Sequence, residues 1–134
     1  MPRPGEDPTY DTLVSSLLHR FAGSDEPRAV NTRGLDAPQR IGRHTPDLTA
    51  WRHGRFIIGV ARTGFQLDDD ETTEALEDFL AWRDGDGERA LIHLCVPDRW
   101  DDHARQAFAR AGGDPDDELN DVGTVGIPGV APPA

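Results

Sequence analysis

No lysine occurs among the 134 residues, and all 14 basic side chains are arginine. The chain therefore has no side-chain amine that desolvation can deprotonate, because an arginine effectively stays charged. Cysteine is represented once, by Cys95. That excludes an internal disulfide and a cysteine-built zinc cage, and it suits a reducing cytoplasm, where the chain is expected to work. No apolar run reaches membrane-spanning length, and residues 1–7 lack the apolar stretch of a secretory signal, so no membrane partner is expected. The five histidines include no His-x-x-x-His or other tight ligand spacing. The Gly-x-Gly patterns at 85–87 and 123–126 lack the strand-to-helix context of a phosphate loop.

What is present is a small, acidic, globular composition. Hydrophobic residues make up 36% and charged residues 29%, which suits one domain over residues 1–134 with a thin core. A loose N-terminus at 1–8 and a proline-rich tail at 128–134 are expected. The net charge of −11 argues against broad, sequence-independent binding to nucleic acid. It is unevenly spread. Between Arg28 and Arg62 lie seven arginines and two acids, a net of +5, which leaves −16 on the remainder. Such asymmetry marks a basic face on an acidic body. Arginine- and aspartate-rich composition without lysine also arises from a GC-rich genome or a high-salt cytoplasm.

Hydrophobic spacing gives the elements. Tyr10, Leu13, Val14, Leu17, Leu18 and Phe21 form one stripe of a first helix over residues 9–22, stopped by Gly23. A short strand is expected at 28–32, a loop at 33–43 and a second strand at 46–51. There Asp47, Thr49 and Trp51 share one face, and Leu48 and Ala50 the other. His53-Gly54 makes a tight turn into an apolar third strand at 56–63, buried on both faces. Acids from Asp68 to Glu71 open a second helix reaching about residue 83, with Ala75, Leu76, Phe79 and Leu80 inward. A strand at 89–96 follows. A third helix is then expected, capped by Asp98 and stopped at Gly112-Gly113, and a last strand at 122–127. The fold class is α/β: a mixed central sheet flanked by helices, in the order α-β-β-β-α-β-α-β, with the third and fourth strands parallel.

This order, together with Pro46-Asp47 opening the second strand and Val60-Ala61-Arg62-Thr63 closing the third, resembles the PD-(D/E)xK, or restriction-endonuclease-like, superfamily. The resemblance covers roughly residues 9–96. It implies a restriction-endonuclease-like core. It also implies a metal-dependent nuclease site in which two carboxylates hold a divalent ion that polarises phosphate and activates water. A lysine two residues beyond the second acid serves that water or the developing charge. Carried over, Asp47 takes the Pro-Asp position and is the expected metal ligand. The second acid is replaced by Val60 and the lysine by Arg62. Many members carry a glutamate in the first helix, and here the helix interior has none, Asp11 standing at its start.

The expected site therefore holds Asp47 and Arg62 in the catalytic positions. Arg33, Arg40, Arg43, His44 and Arg52 are candidate binding residues for nucleic acid or an acidic protein surface met through residues 28–62. His44, three residues before Asp47, is either a companion ligand or a loop residue with a backbone partner. His93 is expected as a hydrogen-bonded core residue. Trp51, Trp82 and Trp100 are expected to pack in the core or at its edge rather than to form a base-stacking platform. The leading expectation is a catalytically degenerate nuclease-like domain acting as a binding or scaffolding module, with no cofactor. One alternative is an active nuclease using Mg, with Arg62 for the lysine and an acid relocated to the second helix. The other is an unrelated small α/β interaction domain.

Overall fold

The computed structural model of the chain describes residues 8–127 and Pro132. The expected loose N-terminus and C-terminal tail lie outside these residues except for Pro8 and Pro132. Pro8 opens helix α1 (Pro8–Arg20), a position where its missing N–H costs nothing. Strands β1 (Asp25–Ala29), β2 (Leu48–Arg52) and β3 (Arg55–Ala61) follow. A 3-10 turn at Phe65–Asp68 leads into α2 (Asp70–Ala81). Then come β4 (Leu91–Pro97), α3 (Asp101–Arg110) and β5 (Asn120–Val125).

The five strands form one mixed sheet in the order β1-β2-β3-β4-β5. The first three are antiparallel, while β3–β4 and β4–β5 are parallel. The alternation along β3 sorts its side chains onto two cores. Ile58 and Val60 meet α2 and α3 through Leu76, Phe79, Trp100 and Phe108. Ile57 and Ala61 meet α1 through Leu13, Val14 and Leu17. A strand buried on both faces is apolar throughout, which is why residues 56–61 carry no charge. Among the described residues no helix is long and apolar enough to cross a membrane.

Several boundaries shift, and the last strand runs Asn120–Val125 rather than 122–127. The first strand begins at Asp25, not residue 28, and ends at Ala29. Glu26 takes a positive φ of 49°, and the pairing with β2 slips between Asp25 and Arg28. This bulge on an edge strand accommodates Pro27, which a central strand would not. Residues 62–63 lie beyond β3, although the Arg62 N–H still donates to the Cys95 carbonyl at 3.1 Å. The third helix starts at Asp101 rather than from an Asp98 cap, because the Asp98 N–H is drawn to the Val125 carbonyl of β5 at 2.7 Å.

Candidate functional site

The β2 strand begins just after a proline, and that shapes the surroundings of Asp47. The Asp47 backbone N–H donates to Gly59 and its carbonyl accepts from Val30, so the residue is pinned between β3 and the end of β1. Pro46 has no N–H with which to carry the ladder on. The Asp47 side chain takes over the next rung: its Oδ2 accepts the Ala61 N–H at 2.8 Å. Its Oδ1 accepts the hydroxyl of Tyr10 from α1. The carboxylate is buried, with 7% of the residue exposed.

Arg62 leaves β3 on the face of Ile58 and Val60, as alternation requires. Its Nη1 reaches Asp47 Oδ2 at 3.4 Å and the Ala61 carbonyl at 2.8 Å, and its Nε donates to the Thr72 hydroxyl at 3.0 Å. Thr72 is buried in the first turns of α2 and donates in turn to the Gln66 carbonyl at 2.7 Å. The guanidinium is therefore held at three points. Burial pushes the Tyr10 hydroxyl well above the ordinary phenol value, and the Asp47 charge adds to the rise, so Tyr10 stays a donor at every physiological pH.

These groups border a cleft of about 230 Å³, and Asp69 and Glu71 from the start of α2 line it as well. The implied metal can be tested against this donor set. Both Asp47 oxygens already accept hydrogen bonds, and one of the donors is a fixed cation. A divalent ion reaching Oδ2 would have to displace Arg62, and one reaching Oδ1 would meet the Tyr10 hydroxyl. Among the described residues no three histidine, cysteine, aspartate or glutamate side chains converge closely enough to hold a metal. The residues as arranged do not fit the ion.

The remaining candidates divide among separate tasks. Arg43 and His44 are tied to Asp78 of α2: the Arg43 Nη2 lies 3.1 Å from Oδ1, and the His44 Nδ1 lies 3.0 Å from Oδ2. His44 is thus no companion of Asp47, because the turn pairing Ile41 with His44 delivers the ring to α2 instead. Burial would raise the Asp78 carboxyl, but hydrogen bonds from Arg43 and His44 outweigh it and hold the group down at about 2. Arg52 donates to the Arg20 and Ala22 carbonyls at 3.5 and 3.3 Å and lies over the Phe21 ring. It closes the end of α1. Arg33 is exposed beside a groove along α1, and Arg40 is exposed at another cleft, with one long bond to the Arg43 carbonyl. The seven arginines of the basic segment therefore do not share one use.

Sequence reasoning missed Tyr10 and Thr72 as members of the Asp47 cluster. Tyr10 carried a signal: it lies in the first helix, the element from which the resembled family sends its extra carboxylate. Asp11, the acid nearest that place, is exposed. His93 is buried as expected, bonded through Nδ1 to Asp121 of β5 at 2.6 Å and edge-on to Phe21. That hydrogen bond lowers the Asp121 carboxyl. Burial pushes the Cys95 thiol up to about 11, which leaves it protonated and unreactive. Comparison with protein-family models, curated proteins and solved structures gives no match to this chain.

Proposed function

We propose that the chain is a degenerate nuclease-like domain with a restriction-endonuclease-like core, acting in the cytoplasm as a binding module for an anionic partner rather than as an enzyme. One observation carries this. The carboxylate of Asp47, the only acid left in the motif, accepts from Tyr10 on one oxygen and from the Ala61 N–H and Arg62 on the other. An acid that must hold a metal or a water needs a free oxygen. This one supplies a rung to the sheet and a counter-ion to an arginine, so the old catalytic position has become a structural joint. The partner reading rests on the +5 segment, where Arg28, Arg33 and Arg40 have no carboxylate partner among the described residues.

A second reading, a metal-dependent nuclease with Arg62 in place of the lysine, is favoured by one fact: Asp69 and Glu71 line the same cleft as Asp47. Titration calorimetry with magnesium and manganese separates the two, run beside a cleavage assay on single- and double-stranded DNA. The binding module shows weak or no metal uptake and no cleavage, since a single carboxylate cannot hold magnesium against its hydration shell. Stoichiometric metal binding lost in Asp47→Ala, together with metal-dependent cleavage, overturns the proposal in favour of the nuclease.

A further inference from the structure

A second cleft lies away from Asp47. It measures about 390 Å³ and is formed over the β1–β2 end of the sheet, on the face not covered by α1. Its floor is aromatic. The rings of Phe56 and Trp82 stack at 4.4 Å with an interplanar angle of 24°, and Trp51 leans on both at 5.0 and 6.1 Å. All three are half-buried, unlike Trp100, which the core covers completely. Ring faces that could have been enclosed are left bordering a cleft.

The cations at its border are unused. Arg28 is half-buried on β1 and its side chain forms no hydrogen bond or ion pair among the described residues. Arg40 has only its 3.5 Å bond to a carbonyl. By contrast, the neighbouring Arg43 is fully engaged by Asp78. The one acid at the cleft, Glu26, is held there by the bulge, with its φ of 49°. Backbone in that region costs energy and recurs where a side chain must be re-aimed.

Resting on the anionic-partner reading, we infer that this cleft binds single-stranded nucleic acid. An unpaired base stacks on the Trp51–Phe56–Trp82 cluster, flanking phosphates meet Arg28 and Arg40, and Glu26 accepts an exocyclic amino group of the base. An aromatic platform with nearby cations is how strands are held without sequence readout. A duplex keeps its bases stacked on each other and cannot offer a ring face to the cluster. No residue from the first turn of a helix borders the cleft, so nothing cradles the terminal phosphates of a free nucleotide. The cleft is fitted to a strand passing over it.

The test uses the full chain and labelled oligonucleotides of about 12 nucleotides, within the span one stacking domain covers. Anisotropy is read for a single strand, the matching duplex and free adenosine monophosphate, with tryptophan emission followed in parallel. The single strand is expected to bind at least about tenfold tighter than either competitor and to quench emission. Trp51→Leu and the double variant Arg28→Gln/Arg40→Gln are each expected to weaken it about tenfold. The side chains of the arginine pair make no hydrogen bond or ion pair among the described residues beyond the one 3.5 Å bond of Arg40, so the pair decides the matter should Trp51→Leu not fold. Equal or tighter binding of duplex or free nucleotide, or no strand binding at low salt, overturns the inference. Binding lost with the arginines but unchanged in a folded Trp51→Leu overturns the stacking site and leaves the anionic-partner reading standing. Binding to the cleft accompanied by magnesium-dependent cleavage does the reverse.

Discussion

Asp47 shows how one buried carboxylate can join a helix, a strand and an arginine. Hydrogen bonds to a charged acceptor contribute roughly 1.5–3 kcal/mol each, more than those between neutral groups. With its Tyr10, Ala61 and Arg62 donors in place, the carboxylate should stabilise the fold rather than store strain for catalysis. Tyr10→Phe removes one donor without changing the shape of the ring. It is expected to lower unfolding free energy by about 1.5–3 kcal/mol in urea titration. Asp47→Asn should cost at least as much, because Arg62 then loses its counter-ion. A stability gain in Asp47→Asn would mean the acid is a strained functional group after all. Asp78 gives the second residue-scale prediction. Its folded pKa of about 2 lies below the ordinary value of about 3.9. A depressed carboxylate contributes stability in full above its unfolded value, and that contribution is lost as pH falls through the folded one. Stability should therefore fall between pH about 4 and about 2, and Asp78→Asn should flatten this slope while lowering stability at neutral pH.

At the scale of elements, the segment joining β3 to α2 is fixed by one contact. Gly64 has a φ of 76°, and a β-carbon there would stand 2.7 Å from the indole of Trp100. Trp100 is fully buried among α2, α3 and the sheet, so it cannot give way. Gly64→Ala combines a strained backbone with a clash and should cost well over about 1 kcal/mol. A melting temperature equal to the parent chain's would refute that account. Gly85, with nothing near it, is the control: Gly85→Ala should be close to neutral. The elements that periodicity revealed are those whose burial is regular. The stripes of α1 and α2 and the continuous apolar run of β3 were legible, and with them the parallel β3–β4 pair, though not the place of β5 beside β4. The displaced boundaries lie where local backbone departs from a regular pattern: the bulge at Glu26, Asn31 at φ 47°, and Arg99 at φ 75° just before α3. Such conformations favour glycine; Asn31 is of a type that tolerates them, whereas nothing in the side chains of Glu26 and Arg99 announces them.

Across the whole molecule, charge is divided between tasks that composition cannot separate. The +5 of residues 28–62 was legible in the sequence, as were Asp47 and the emergence of Arg62 at the end of its strand. Which arginines stay unpaired was not, because that depends on Asp78 and on the carbonyls at the end of α1, brought near only by folding. The aromatic cleft was hidden for the same reason: Trp51 and Trp82 lie on β2 and just past α2, far apart in the chain. This division sets two opposite responses to salt. With a net charge of −11, the folded chain repels itself, and folding concentrates that charge. Raising salt from ~0.01 M to ~0.1 M shortens the screening length from about 30 Å to about 10 Å. The melting temperature should rise over that interval as the repulsion is screened. An anionic strand held by Arg28 and Arg40 should meanwhile bind more weakly, because its counter-ions are no longer released at a gain. The same two titrations on Arg28→Gln/Arg40→Gln should leave the rise in melting temperature in place and flatten the salt slope of any remaining binding. A melting temperature that falls with salt would show instead that ion pairs such as Arg43–Asp78 and Arg89–Asp117 outweigh the net repulsion in holding the fold together.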